Sequence, residues 1–184
     1  QAAPFLKKAI EMEPGRYEAY AELGNIYMQQ GKSAAALKLL TKATELKTGI
    51  AQLWINMGKT YADLNQFQNA LLAFKQAIVV SPGIALAYYN IATIFLMHKD
   101  YVNAEKFGIR AAELDPSSPH FYVLGLIAYE RREYEKAVKF LKLSLGIDPR
   151  NFEAYTAMGA CHLGLGMYAQ AEAEFIKSLE IIRT

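Results

Sequence analysis

The chain has 184 residues, of which 21% are charged and 53% belong to the broad hydrophobic class. This balance is typical of a folded chain and excludes disordered and collagen-like classes. No apolar run approaches the roughly 20 residues that cross a bilayer. Lys and Arg number 20 and Asp and Glu 18, with both signs interspersed, so the formal charge of +2 gives no reason to expect a nucleic acid or an anionic membrane as partner.

The chain contains a single cysteine, Cys161, so it has no internal disulfide and no cysteine-rich metal site. The sequence also has no Asn-x-Ser/Thr glycosylation site and no visible signal peptide. These features predict a reducing, cytoplasmic compartment. Because the sequence begins at Gln1 rather than at Met, a targeting segment before that residue stays an open alternative.

Taken in chain order, the sequence repeats a short pattern five times. Each copy begins with an aromatic residue, has a small residue four positions later, and has an alanine sixteen positions after the aromatic. The small residues are Gly24, Gly58, Ala92, Gly125 and Gly159, and the alanines are Ala36, Ala70, Ala104, Ala137 and Ala171. The step from Gly24 to Gly58, and again from Gly125 to Gly159, is 34 residues, which indicates an array of similar units.

Each unit is predicted to contain two amphipathic helices. Apolar positions recur at spacings of three and four residues within segments of about 12 to 14 residues, which is the helical period. Short breaker segments separate the two helices of each unit and predict turns. These segments are Gln30-Gly31, Leu64-Asn65, His98-Lys99-Asp100, Arg132-Glu133 and Gly166-Met167.

The units follow one another without linkers. We predict a lone second helix over residues 1–16 and five helical hairpins over residues 17–50, 51–84, 85–117, 118–151 and 152–184. The pairs Asp115-Pro116 and Asp148-Pro149 end two of the second helices, because proline cannot continue a helix and disfavours helical backbone before it.

The third hairpin departs from the pattern at two positions. Ala92 replaces the glycine of its column, and Gly108 stands where the other hairpins have a leucine or a phenylalanine. We therefore expect a gap beside Gly108 that Phe107 partly fills.

These recurring residues resemble the tetratricopeptide repeat family over the whole chain, and the five-fold recurrence makes the match specific. The resemblance implies an all-α fold, a right-handed α-solenoid of antiparallel helix-turn-helix hairpins. It also implies that the first helix of every hairpin lines a concave groove, the usual binding surface of the family. The implied function is a non-catalytic protein–protein interaction module that binds a peptide or helical segment of a partner and assembles a multiprotein complex.

The residues expected to face the groove change character along the chain. Those of the first two hairpins are mostly polar, those of the third and fourth are apolar and aromatic, and those of the fifth are mostly small. We predict that the partner-binding residues are Asn25, Gln52, Asn56, Lys59, Leu86, Tyr89, Asn90, Tyr122, Val123, Leu126 and Tyr129.

Asn56 and Asn90 occupy equivalent positions in neighbouring hairpins. A carboxamide has both donors and an acceptor, so a row of them can hold the backbone of an extended peptide without reading its sequence. The pair resembles two rungs of the asparagine ladder in the O-linked N-acetylglucosamine transferases. Two hydrogen bonds at about 0.5–1.5 kcal/mol each give modest affinity, so the aromatic residues must supply the remainder. The alternative is that both asparagines are simply solvated.

The sequence has no pattern of catalytic residues, so we expect neither an enzyme nor a cofactor or metal site. None of the three histidines has a partner at metal-ligand spacing apart from Cys161 beside His162, and adjacent helical residues point about 100° apart. We interpret His162 as a packing residue in a tyrosine column and Cys161 as part of a buried column. Residues 164–169 match G-x-G-x-x-A but follow no predicted strand, which favours a turn between helices.

A second hypothesis from a different class is a structural scaffold that self-associates. Each second helix ends with an apolar residue expected to pack against the following hairpin, and Ile181 has no following hairpin within the sequence. Solenoids normally need a polar cap at such an end. We therefore expect either a longer array, of which this sequence is a part, or homo-oligomerisation through exposed ends. The half-unit at Gln1 favours the longer array.

Overall fold

The computed structural model describes residues 2–183, so the predicted segments 1–16 and 152–184 are described apart from Gln1 and Thr184, which lie outside the described residues. Those residues form eleven helices and no strand. The helices are α1 (Ala3–Met12), α2 (Tyr17–Gln29), α3 (Ser33–Leu46), α4 (Ala51–Asp63), α5 (Phe67–Val80), α6 (Ala85–Met97), α7 (Tyr101–Leu114), α8 (Ser118–Glu130), α9 (Tyr134–Ile147), α10 (Phe152–Gly164) and α11 (Tyr168–Arg183). Within this part of the chain, none of them combines the length and the apolar character needed to cross a membrane.

Consecutive helices pack as antiparallel pairs, which confirms the predicted all-α repeat fold. The chain divides into two compact units, residues 1–90 and residues 91–184. In the first unit α2 packs on α3 and α4 on α5, and in the second unit α8 packs on α9 and α10 on α11. The repeated alanines of the second helices are buried at these contacts. The core of each unit is therefore a series of helix–helix contacts between near neighbours in sequence.

The turn between paired helices uses one residue with left-handed backbone. The angle φ lies between 57° and 73° at Gly31, Asn65, Lys99, Arg132 and Gly166. The residue after each of these donates its backbone N–H to the carbonyl five positions earlier, as Lys32 does to Tyr27 over 2.9 Å. This hydrogen bond closes the end of the first helix. All five residues lie in predicted turns, so that prediction is confirmed.

A glycine in the first helix lets the second helix approach closely. A Cβ atom at Gly58 would lie 2.6 Å from the ring of Phe74, and one at Gly125 would lie 2.7 Å from Leu141 Cγ. The backbone carbonyl of Ala137 lies 3.5 Å from the same position at Gly125. The glycine column thus lets the paired helices approach closely, and its nearest neighbour is the bulky residue four positions after the alanine.

The third hairpin does not have the expected gap. Gly108 is buried, and a Cβ atom there would lie 2.9 Å from Leu124 Cδ2 and 3.6 Å from Ile127 Cδ1, both on α8. Phe107 stacks on Phe95 instead, with ring centroids 5.7 Å apart and ring planes at 21°. Side chains of the following hairpin therefore occupy the space that the missing large residue leaves.

Candidate functional site

Four of the predicted partner-binding residues, Asn25, Gln52, Asn56 and Lys59, lie on α2 and α4 in the first unit. Three of them are joined by hydrogen bonds between side chains. Gln52 Nε2 donates to Asn56 Oδ1 over 2.8 Å, and Asn56 Nδ2 donates to Asn25 Oδ1 over 2.7 Å. We call these three residues the amide chain. It links α4 to α2, and Lys59 lies one turn further along α4, half-buried.

The amide chain has a direction. The oxygens of Asn25 and Asn56 already accept hydrogen bonds from within the chain. The free groups at its ends are the amino group of Asn25, which donates, and the carbonyl oxygen of Gln52, which accepts. A donor at one end and an acceptor at the other match the C=O and N–H groups of a peptide backbone.

The two asparagines predicted as equivalent rungs have different partners. Asn56 bonds to the side chain of another helix, whereas Asn90 Nδ2 donates to the backbone carbonyl of Leu86 in its own helix over 2.6 Å. Leu86, Tyr89 and Asn90 lie in the first two turns of α6 and are half-buried. Equivalent positions in the repeat therefore do not give equivalent hydrogen bonds.

In the second unit, three predicted residues line one wall of a pocket of about 330 Å³. Tyr122, Leu126 and Tyr129 lie on α8 at spacings of four and three residues, so they share one face of the helix. The facing wall comes from α10 and consists of Phe152, Glu153, Thr156, Ala157 and Ala160. Val123, which was also predicted to bind a partner, is 4% exposed and lies in the core instead.

Our predicted partner-binding residues end at Tyr129 and miss the α10 wall. Ala157 and Ala160 lie at the repeat positions of Asn56 and Lys59, so their place in the repeat indicated that they face the same surface. Their side chains did not indicate a binding role, because alanine is common in helices for reasons of helix propensity alone. Their small size matters here, since it leaves the space that the larger side chains of α8 surround.

The aromatic wall of the pocket is supported from behind. The ring of Tyr129 lies 5.9 Å from the ring of Tyr134 on α9, with the ring planes at 51°. Tyr134 in turn covers Gly164 at the end of α10, where a Cβ atom would lie 2.6 Å from its ring. Tyr129 is therefore packed against α9 before any ligand binds, which lowers the entropy lost on binding.

The pocket has one charged side chain, the carboxylate of Glu153. Neither α8 nor α10 contains a Lys or an Arg, and their only other acidic residue is Glu130. Tyr101 Oη donates to Glu130 Oε2 over 3.4 Å. Glu153 is exposed, and across residues 2–183 it makes no ion pair or side-chain hydrogen bond. Within the described residues, the rim of the pocket therefore has a carboxylate without an ionic side-chain partner.

A further pocket, of about 280 Å³, lies between α4 and α5 in the first unit. Its lining residues are Trp54, Met57, Tyr61, Asn69, Leu72, Ala73 and Gln76. The indole of Trp54 is fixed by a hydrogen bond from Nε1 to the carbonyl of Thr48 over 2.8 Å. None of the predicted partner-binding residues lines this pocket.

The lone thiol and its neighbouring histidine are both buried. Cys161 is fully buried, and this burial raises the pKa of its thiol to about 11, so almost none of it is thiolate at neutral pH. His162 is 7% exposed. The interpretation of both as packing residues is therefore confirmed.

Antiparallel helical hairpins that recur along the chain define a helical repeat protein. Two family models described as tetratricopeptide repeat match residues 1–60 and 55–119, and one described as anaphase-promoting complex, cyclosome, subunit 3 matches residues 97–178. The chain belongs to the tetratricopeptide repeat family. Domains of this family are protein–protein interaction modules and are generally non-catalytic scaffolds.

Solved structures share the fold over nearly the whole chain. The MamA protein is 25% identical, with a TM-score of 0.76 and with 90% of this chain and 91% of that chain covered. YrrB, described as a TPR protein with an unusual peptide-binding site, is 20% identical with a TM-score of 0.74, covering 98% of this chain and 93% of its own. The APC/C hetero-tetramer Cut9-Hcn1 is 18% identical with a TM-score of 0.84, covering 98% of this chain and 36% of that one.

Proposed function

We propose that the chain is a docking module that holds a peptide or helical segment of a partner protein on the first helices of its hairpins and so assembles a multiprotein complex. The observation that carries this proposal is the pocket of about 330 Å³ between α8 and α10, in which Tyr122, Leu126 and Tyr129 form one wall. Concave sites with apolar and aromatic walls and few polar groups are typical binding sites. Aromatic side chains in such places supply much of the binding energy of protein contacts.

The amide chain supports a second kind of contact. The amino group of Asn25 and the carbonyl oxygen of Gln52 match a peptide backbone, and each such hydrogen bond contributes about 0.5–1.5 kcal/mol net. A partner on the first unit would therefore be held by its backbone. A partner on the second unit would be held by its side chains.

The relatives support a docking role. YrrB is described as having an unusual peptide-binding site, and Cut9-Hcn1 is an APC/C assembly. We extend the proposal to the organisation of the chain, with a partial repeat over residues 1–16 and repeats over residues 17–50, 51–84, 85–117, 118–151 and 152–184.

We propose a protein or peptide partner rather than a nucleic acid or a membrane, because the charges are nearly balanced and interspersed. We also propose that the chain has no catalytic activity and needs no cofactor, as is general in the family. We propose a reducing, cytoplasmic compartment, because a chain with Cys161 as its one cysteine has no internal disulfide that would need an oxidising compartment.

Affinity purification with the full chain as bait tests the docking function. The pocket variant Tyr122→Ala with Leu126→Ala is compared with a control variant, Leu143→Ala with Tyr168→Ala, which removes similar side chains that are 50% and 72% exposed outside the pocket. We expect partners captured by the unmodified chain and the control to be lost from the pocket variant. Thermal unfolding checks that all three are folded. Identical partner sets from the three baits would contradict the proposal.

A second candidate function is self-association through α11. This helix exposes Ile176, Leu179 and Ile182 at 51%, 54% and 58%, and their spacing of three residues puts them on one face. A second copy of the chain would cover that face. Light scattering over a range of concentrations tests this candidate, since a mass that rises with concentration and returns to the monomer in Leu179→Glu supports it. A monomer mass throughout contradicts it.

A further inference from the structure

The pocket between α8 and α10 is small for a ligand pocket and is lined mainly by apolar and aromatic side chains. Its volume of about 330 Å³ lies at the lower end of the roughly 300–1,000 Å³ range of ligand pockets. Tyrosine and leucine side chains form one wall, and two alanines open the space opposite them. The hydroxyl of Thr156 is already engaged, because its Oγ1 lies 2.8 Å from Ser178 Oγ and 3.0 Å from the carbonyl oxygen of Phe152. A bulky apolar group therefore fits this space better than a polar one.

The charge at the rim narrows the choice of partner. Glu153 belongs to the pocket lining, is exposed and has no ionic partner within the described part of the chain. No Lys or Arg on α8 or α10 offsets its charge, although the whole chain has a net charge of +2. A partner that brings a cation to this carboxylate gains an ion pair, and a partner that brings a carboxylate is repelled.

We infer that this pocket recognises a short peptide motif in which one bulky apolar side chain lies within two residues of a Lys or an Arg. The apolar side chain fills the space between Tyr129 and Ala160, and the cation pairs with Glu153. Glu153 and Ala160 lie on α10 about 10 Å apart along the helix axis. Two residues of extended chain span roughly 7 Å, and the length of a Lys or Arg side chain covers the remainder, so both contacts form at once. The inference rests on the proposed docking function and adds the chemistry of the partner.

Selection from a phage library of random heptapeptides tests the motif directly. Three versions of the full chain are used: the unmodified chain, Glu153→Lys, and the control Glu135→Lys. Glu135 is matched to Glu153, because each is an exposed glutamate at the second position of its helix, but Glu135 is outside the pocket. We expect the unmodified chain and the control to select apolar residues beside Lys or Arg. Glu153→Lys should select apolar residues beside Asp or Glu.

Binding of one selected peptide then measures each contact. By fluorescence polarisation, Glu153→Lys should weaken binding of the basic peptide about fivefold, and Glu135→Lys should leave it unchanged. Ala160→Leu, which fills the pocket, should weaken it at least about tenfold. If Ala160→Leu does not fold, Leu126→Ala removes the facing wall and should give a similar loss of affinity.

The ion pair with Glu153 is tested separately by salt. Raising the salt from about 50 mM to about 500 mM should weaken binding of the basic peptide more than binding of its apolar, uncharged analogue.

The outcomes separate the motif from the docking function. Peptides that bind the unmodified chain and are lost in Ala160→Leu, but that show no preference for Lys or Arg, would overturn the motif and leave the docking function standing. The same selected sequences from Glu153→Lys as from the unmodified chain would also overturn it. If no peptide is enriched on the unmodified chain, the motif and peptide docking at this pocket are both contradicted.

Discussion

The two units of the chain have the same scaffold but different surfaces. In each unit a glycine of the first helix meets the second helix, and a left-handed residue closes each turn. On the first helices, however, the first unit presents amides that bond to one another, whereas the second presents an aromatic wall and an unpaired carboxylate. The residues that build the hairpin therefore do not determine which side chains stand on the exposed face of the first helix. Each unit can present different binding residues on the same scaffold.

The largest expected effect compares one close helix contact in each unit. Gly58→Ala in the first unit puts a Cβ atom 2.6 Å from the Phe74 ring, and we expect it to lower the free energy of unfolding by about 2–3 kcal/mol, since a buried ring has little room to move. Gly108→Ala in the second unit meets the terminal methyl of Leu124 at 2.9 Å, which moves more easily, so we expect about 1 kcal/mol. Urea unfolding followed by circular dichroism measures both.

The control for these two variants is Gly146→Ala. Gly146 lies within α9, and no atom lies within 4 Å of the position that a Cβ atom would take there, so we expect this change to stabilise the chain by about 0.5–1 kcal/mol. A loss at Gly146 as large as that at Gly58 would show that close helix approach is not what Gly58 provides. Equal losses at Gly58 and Gly108 would show that the Leu124 methyl moves no more easily than the Phe74 ring.

The next effect concerns turns that differ between the units. The first unit uses Gly31 and Asn65 at its left-handed positions, whereas the second uses Gly166 together with Lys99 and Arg132, whose long side chains make that conformation costly. We expect Lys99→Gly and Arg132→Gly each to raise the free energy of unfolding by about 1 kcal/mol. Thermal unfolding should show a higher midpoint for each variant.

A matched control changes a lysine at the end of a helix where the backbone is not left-handed. Lys47 ends α3 with φ of −147°, so Lys47→Gly should bring no gain. A gain at Lys47 equal to that at Lys99 would mean that the left-handed backbone is not the cause. The first unit would then have no advantage over the second in its turns.

The repeat pattern predicted the helices and the turns because each depends on residues close in sequence. Helical spacing sets which face is apolar, and a turn of fixed length needs one left-handed residue. A glycine at the left-handed position is recognised from the sequence itself. Lys99 and Arg132 are identified as left-handed only by their alignment with Gly31. The prediction of these features does not depend on how one hairpin packs against the next.

The candidate site was predicted only in part, because its details depend on contacts between hairpins. Val123 and Leu126 have similar chemistry and lie on the same helix, yet the first is buried and the second lines the pocket. Which of them faces outward depends on the rotation of α8 against its neighbours. The link from Asn56 to Asn25 and the support of Tyr129 by Tyr134 likewise join different helices. The residue type at one repeat position does not predict a contact between two different helices.

The smallest expected effect concerns ion pairs. The first unit has pairs such as Lys42–Glu45, at 3.3 Å and well exposed, within single helices. The second unit joins three segments through Glu105, which pairs with Lys136 of α9 and with Arg131 Nη1 at 2.5 Å. The hydrogen bond from Lys136 outweighs burial and, together with the charges of Lys136 and Arg131, holds the pKa of Glu105 below its usual value. A carboxylate shared between helices should contribute more than one paired within an exposed helix.

We therefore expect Glu105→Gln to lower the free energy of unfolding by about 0.5–1 kcal/mol at pH 7, and Glu45→Gln to lower it by less than about 0.5 kcal/mol. Because the folded pKa of Glu105 is lowered, its stabilisation is complete above the unfolded value near 4.5 and disappears as the pH falls through the lower folded value. Urea unfolding at pH 7 and pH 3 measures both variants. The cost of Glu105→Gln should shrink at pH 3, and a cost that is the same at both pH values would mean that the carboxylate charge does not stabilise the second unit.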